Sequence, residues 1–295
     1  MKEPSFSDTV VYESPLVRIG AFRCDRNYPG FRDTGPAQND CFVFPRTAVQ
    51  IEHEDAPPFV ANPNIVTFYN RSQRYRRYEI SDRGDRCDWF GVRRDLARDA
   101  VSAKEPVERD EPFQWHRGFC DAKTYLLQRR LFEAVAGGTL DDGMAVEETV
   151  LLLLDRVVGE TPSVMPHPRK RELVHDVERL LASRFDLTLT LSQIAAHAGV
   201  SVYYLCRVFR EVTGFALHQY IRQLRIRHGL EAVCETPGRL SRIALDLGFT
   251  HHSHFTNAFR RDFEITPSEL RASRSRCLSE TLVRSGSRAR RSTRK

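Results

Sequence analysis

The sequence predicts an α+β protein: a strand-rich N-terminal part with following helices, then an all-α part of two helix-turn-helix units joined by a long helix. Three observations carry this. Short runs rich in Val, Ile, Phe and Tyr, cut by turn-forming residues, fill residues 1–115. Helical spacing of apolar residues dominates from about residue 122 onward. Within that helical stretch one pattern occurs twice.

The strand-like runs are VYESPLVRIGAFRC, CFVFPRTAVQIEH, NIVTFYN and RYEI. NYPG, EDAPP, ANPN and DRGD separate them. Trp89, in CDWF, is expected in the core. The run YNRSQRYRRYEI carries Arg71, Arg74, Arg76 and Arg77. An Arg/Tyr alternation is expected to be the solvent face of an antiparallel strand; a pocket wall for an acidic ligand is the alternative. His53 and His116 stand isolated in the sequence. In DAKTYLLQRRLFEAVAGG, Tyr125, Leu126, Arg129, Leu131, Phe132 and Val135 include an apolar helical stripe that Gly137 and Gly138 stop. A second helix, MAVEETVLLLLDRVVG, ends at Gly159. Their apolar faces serve either burial within one chain or pairing of two chains.

ETPSVMPHPRK, with three prolines and no apolar pattern, reads as a linker. The expected division is a first part over 1–160, a linker over 161–169, a helical part over 170–274 and a basic disordered tail over 275–295. The net charge of +6 is unevenly spread, about +11 from Arg169 onward and about −5 before it. A basic half on a mildly acidic one suggests that one part meets a polyanion. Nothing resembles a signal peptide, and the longest apolar run, VLLLL, is too short for a bilayer. Seven scattered cysteines, none in C-x-x-C, fit a reducing cytoplasm and argue against a structural zinc site.

LSQIAAHAGVSVYYLCRVFREV (191–212) and LSRIALDLGFTHHSHFTNAFRRDF (240–263) are the two copies, the second with one extra residue. Thr190 and Gln193 make a capping box for the first helix. Gly199 and Gly248 sit where the chain leaves a helix and needs positive φ. Ser201 and Thr250 are N-cap types for the second helix. Leu205, Phe209 and Val212, and likewise Phe255, Phe259 and Phe263, recur at helical spacing and point inward. Helix, tight turn and second helix make the helix-turn-helix plan. ALHQYIRQLRIRHGLEAVCETPG reads as the connecting helix, ended by Pro237-Gly238.

These residues, with YIRQLRIRHGL and the closing TPSEL-R, resemble the DNA-binding domain of AraC/XylS-type transcription regulators over about a third of the chain. Departures are Glu264 where the family has Gly, Leu270 where it has an aromatic, and Gly229 where it has Ala. The resemblance implies a small cupin-like β-barrel sensor before the DNA-binding domain, followed by dimerising helices. It also implies double-stranded DNA, RNA polymerase, a small-molecule effector and a second copy of the chain as partners, in the cytoplasm at the nucleoid. Activation and repression are both compatible with it.

The resemblance puts His252, Ser253, Thr256, Asn257 and Arg260 on the outer face of the second recognition helix, and Val202, Tyr203, Cys206, Arg207 and Arg210 on that of the first. Arg207 suits base readout because its planar fork matches guanine O6 and N7. Tyr203 suits a thymine methyl or a phosphate, and Arg210 and Arg260 suit phosphates. A salt bridge on the helix surface, with Glu211, is the alternative for the arginines. His251, His252 and His254 splay around the helix rather than falling four apart, so no metal is expected there; solvated polar filler is the other reading. No cofactor and no enzyme activity are expected, since no nucleophile motif, metal spacing or Gly-rich phosphate loop occurs. The alternatives are an N-terminal enzyme fused to a DNA-binding domain and a non-specific architectural DNA binder.

Overall fold

The structure, a computed structural model, describes residues 5–54, 56–104, 110–140, 142–158 and 167–273. Strands β1 (Phe6–Glu13), β2 (Val17–Cys24), β3 (Asp40–Pro45), β6 (Ile65–Tyr69), β8 (Asp85–Val92) and β9 (Arg117–Phe119) form one antiparallel sheet in the order β1-β2-β8-β3-β6-β9. A smaller sheet, ordered β5-β4-β7, comes from β4 (Val49–His53), β5 (Phe59–Ala61) and β7 (Tyr75–Glu79). Phe22, Val43, Val49, Ile51, Tyr69 and Trp89 are among the core residues that the two sheets share. The other face of the large sheet, through Phe42, Phe44, Phe68 and Phe90, packs with α1 (Arg94–Ser102), α2 (Ala122–Ala136) and α3 (Gly143–Val158). Covered on both faces, β3 is buried throughout and reads as a continuous apolar run rather than an alternation.

Four elements escape sequence reasoning: the three-residue strands β5 and β9, too short to show an alternation, and β8 and α1. β8 is the centre of the large sheet, yet Asp85, Arg86 and Asp88 disguise it. The strand tolerates buried acids because guanidinium groups meet them: Arg77 lies 3.4 Å from Asp85, and Arg46 and Arg129 lie 3.5 and 3.7 Å from Asp88. Helix α1 falls in a region read as strands and turns only; it buries just Ala97 and Val101, too few to show a period.

The Arg/Tyr run splits. Arg71, Arg74 and Arg76 are exposed as expected, but Arg77 is buried at 1% exposure, so the solvent-face reading fails for it. It stacks over Phe22 at 4.2 Å and donates to Thr34 Oγ1 and Tyr75 Oη, each at 2.9 Å. His53 and His116 are not isolated in space; their rings stack at 4.2 Å.

The helical part contains α4 (Pro168–Ser183), α5 (Leu191–His197), α6 (Val202–Thr213), α7 (Leu217–Glu235), α8 (Leu240–Asp246) and α9 (His252–Phe263). A last helix, α10, covers 267–273. Most of the expected linker and all of the tail beyond residue 274 lie outside the described residues; α4 already starts at Pro168. The repeat is longer than the two motifs. From 201 to 220 and from 251 to 270 the pattern of burial is identical position by position. Gly214 and Glu264, at φ 77° and 62°, end α6 and α9 in the same left-handed conformation. Tyr220 and Leu270 fill the same buried place in the next helix. Helix α4 packs on α6 as α7 packs on α9, so α7 closes the first unit and founds the second. The departure at Gly229 has a cause: a Cβ there would lie 2.7 Å from Phe255 Cε2 and 3.0 Å from Leu247 Cδ1. Phe255 takes the space an alanine methyl would need.

The β-domain holds α7 along its length. Tyr220 Oη accepts from Asn62 Nδ2 at 2.9 Å, and its carbonyl accepts from Asn64 Nδ2 at 3.0 Å. Arg227, buried, donates to the Pro63 carbonyl at 2.8 Å, to Asn64 Oδ1 at 2.9 Å and to the Cys120 carbonyl. Glu231 receives Arg46 at 2.7 Å, Arg129 at 3.2 Å and the Tyr125 hydroxyl at 3.1 Å. Burial pushes the Glu231 carboxyl up, but Arg129 and Arg46 together outweigh it and hold it below the ordinary carboxylate value. Removing one member of such a buried cluster strands the others and costs about 3–5 kcal/mol.

His228 sits at the same boundary, stacked at 4.1 Å on Phe185, whose ring also carries Arg83 of the β-domain at 4.8 Å. Burial, helped by Arg83, pushes its imidazole down to about 3. The unfolded imidazole takes up a proton near pH 6.5 and the folded one refuses it until about 3. This contribution to stability is therefore complete above pH 6.5 and is lost as pH falls toward 3. In urea unfolding across that range, wild type is expected to lose stability relative to His228→Gln with a slope approaching about 1.4 kcal/mol per pH unit. Parallel pH profiles for the two proteins would contradict this.

Candidate nucleic-acid interface

Each recognition helix is set by local chemistry that fixes which face it buries. In the first unit, Thr190 Oγ1 accepts from Gln193 N at 3.2 Å and Gln193 Oε1 accepts from Thr190 N at 2.8 Å, closing the capping box on α5. Gly199 turns the chain at φ 66°. Ser201 Oγ then accepts from Tyr204 N at 3.2 Å and caps α6. Leu205 and Phe209 anchor α6 in a core with Ile194, Val177 and Leu181, and Val212 packs half-buried beside them.

The second unit differs at its turn. Gly248, at φ 78°, is doubly required, since a Cβ would also meet the Asp186 carbonyl at 2.3 Å. The extra residue moves the helix start by one: His251, not Thr250, is the N-cap of α9, and no side chain caps it. Thr250 Oγ1 instead lies 3.2 Å from His254 Nδ1. Phe255, Phe259 and Phe263 are buried as expected.

With both helices starting in the same place, the ten candidate residues fall into five pairs fifty positions apart. They are Val202 with His252, Tyr203 with Ser253, Cys206 with Thr256, Arg207 with Asn257 and Arg210 with Arg260. Cys206 and Thr256 are half-buried and the other eight are exposed, Tyr203 most of all at 76%. Glu211 forms its close ion pair with Lys170, and Arg207 adds only a longer-range attraction. Among the described residues, Arg207, Arg210 and Arg260 join no ion pair, and Arg207 lies 5.9 Å over the Tyr204 ring. The three histidines make contacts with hydroxyls and each other: His252 Nε2 is 3.5 Å from Thr256 Oγ1, and the His251 and His254 rings lie 5.5 Å apart.

Two arginines that sequence reasoning did not single out hold the units together. Arg225 of α7 donates to the Phe185 carbonyl at 2.6 Å, the Leu187 carbonyl at 2.9 Å and the Gly248 carbonyl at 3.1 Å. It thereby ties the end of the α4 segment to the turn of the second unit. Arg222 pairs with Asp262 of α9 at 2.8 Å. Both lie in YIRQLRIRHGL, but their partners are distant in sequence, so only the folded chain reveals the contacts.

A helix-turn-helix domain family matches residues 194–273. Over 101 residues the chain is 34% identical to the regulatory protein SoxS of Escherichia coli strain K12, covering 34% of this chain and 94% of that protein. The chain belongs to the AraC/XylS-type family of transcription regulators. The right origin-binding protein of the same organism is 36% identical over 101 residues, which make up 34% of this chain and 35% of that protein. A crystal structure of apo ToxT from Vibrio cholerae aligns over 88% of this chain and 97% of its own, at 11% identity and a TM-score of 0.38. Among the described residues, this regulator has no helix long and apolar enough to cross a membrane.

The β-domain contains a cavity of about 420 Å³ between its two sheets. Asp85, Cys87 and Trp89 of β8 line it, with Asp8 of β1. Gly20, opposite Trp89 in the β2–β8 register, makes room for the indole: a Cβ there would lie 2.2 Å from its ring.

The two turns predict unequal responses to the same change. Ser201→Ala removes a working cap and is expected to cost about 1 kcal/mol of unfolding free energy. Thr250→Ala removes none and is expected to cost less than half as much. Chemical denaturation of both variants measures the difference, and equal losses would contradict the assigned helix start.

Proposed function

We propose that this chain is a sequence-specific transcription regulator that lays α6 and α9 into successive major grooves on one face of a duplex. The β-domain holds a small effector, and its occupancy reaches the DNA through α7. The carrying observation is the matched exposure of the two recognition helices, which offers five equivalent pairs of side chains to one ligand with a repeating surface. Double-stranded DNA repeats in this way: successive major grooves on one face lie about 34 Å apart. The 19 residues of α7 span about 28 Å at 1.5 Å per residue, a comparable length.

In this reading Arg207 reads a guanine and Tyr203 a thymine methyl or a phosphate. His252, Ser253, Thr256 and Asn257 contact base edges, with Val202 and Cys206 packing beside the first set. Arg210 and Arg260 grip phosphates. Residues 170–274 form the DNA-binding domain, and 1–160 the sensor, joined by 161–169. The cavity and the α7 clamp support the route between them. Strand β8 turns Asp85, Cys87 and Trp89 to the cavity, while Asp88 lies on the opposite side against Arg46 and Arg129, which hold Glu231. A second copy of the chain would use α3, where Met144 and Leu152 are exposed. RNA polymerase as a partner follows from the family alone.

Full-length protein footprinted on the DNA flanking its own gene, with scrambled DNA as competitor, tests the reading. Arg207→Ala is expected to cost roughly 1–3 kcal/mol and relax discrimination at one base pair. Arg260→Ala is expected to weaken all sequences alike and make the dependence on log salt less steep by about one. Equal loss from both variants on every DNA would contradict the division between reading and gripping.

A further inference from the structure

We propose that the cavity of the β-domain takes a small organic cation with an apolar body, an aryl or alkyl amine or quaternary ammonium. This rests on the reading of the cavity as the effector site and names the class of ligand. The charges on its wall decide against an anion. Asp8 and Asp85 both line it, and Arg18 is the only Lys or Arg side chain among the lining residues. That guanidinium is already engaged, its Nε 3.2 Å from Glu13 and its Nη1 donating to Asn39 Oδ1 at 3.0 Å. Arg77 does not line the cavity. It lies behind the wall, stacked on Phe22 and facing Asp85 at 3.4 Å. Asp85 is answered by Arg77 and Arg18 by Glu13, so the charge left over on the wall is the Asp8 carboxylate, which an incoming carboxylate or phosphate would meet.

A cation meets the reverse. Trp89 Nε1 donates to Asp8 Oδ1 at 2.7 Å, which fixes the carboxylate; Oδ2 forms no hydrogen bond among the described residues. Burial pushes the Asp85 carboxyl up despite Arg77, and partial cover pushes Asp8 up despite its Trp89 hydrogen bond, a penalty on the charged forms that a neighbouring positive ligand relieves. Phe6, Phe22, Tyr69, Tyr75 and Trp89 supply aromatic rings around the same space. Ring faces attract cations, most strongly where water is excluded. Among the described residues β1 is the sheet edge, paired with β2 alone, and its lining residues Phe6, Asp8 and Val10 are exposed, which places the entrance beneath this strand.

The test uses three matched probes on the full-length protein: phenyltrimethylammonium, its near-isosteric neutral analogue tert-butylbenzene, and benzoate. Trp89 fluorescence in a Trp115→Phe background, with calorimetry, reports binding. The expected result is saturable binding of the cation, with the other two at least ten-fold weaker. Asp8→Asn keeps an acceptor for Trp89 and is expected to weaken the cation at least ten-fold at an unchanged melting temperature. If tert-butylbenzene binds as tightly, or benzoate more tightly, the cation class is overturned and the effector cavity stands. If none binds, the class is overturned as well. The cavity reading falls separately, if filling the space by Ala61→Leu leaves DNA affinity unchanged.

Discussion

Glu231 is the residue on which most of the architecture converges. It lies in α7, buried, between Arg46 from the bend after β3 and Arg129 from α2, with the Tyr125 hydroxyl on its other oxygen. A carboxylate so placed stays charged only while both guanidiniums stay near, and they in turn neutralise Asp88. The cluster therefore positions α7 against the β-domain more strictly than an apolar contact would, since a sliding apolar surface finds new partners and a buried charge does not. The clamp bears on both helix-turn-helix units because α7 completes one and begins the other.

The second consequence concerns the surface. Within each unit a left-handed glycine, a fixed helix start and two buried aromatic or aliphatic anchors leave the recognition helix little freedom to rotate. Arg225 and Arg222 then couple the units. The side chains on the outer faces differ, with tyrosine and arginine on one and histidine, serine and asparagine on the other. Their positions are nonetheless equivalent. In the proposed function, such a scaffold separates what is read from how the reader is held.

The all-α part was largely legible in the sequence because its determinants are local. Capping pairs lie three residues apart, glycines mark the turns, and apolar anchors recur at helical spacing. The misplaced cap at Thr250 arose from carrying the first turn onto a longer one, where the added residue passes the N-cap position to His251. The β-domain was harder to read for a different reason. β8 carries acids whose partners Arg46, Arg77 and Arg129 come from three other elements, so nothing nearby in the sequence discloses their neutralisation. The pairing of His53 with His116 and the burial of Arg77 depend likewise on which strands lie side by side. The outward placement of the ten candidate residues on α6 and α9 was legible individually, while their one-to-one correspondence required the helix starts.

Selection of binding sequences from a random duplex pool by the full-length protein tests the central claim most directly. A stiff α7 carrying two equivalent readers predicts two recognised blocks whose centres lie about 10 base pairs apart, one helical turn, at constant spacing and with different sequences. A single block, or two blocks at variable spacing, would contradict it.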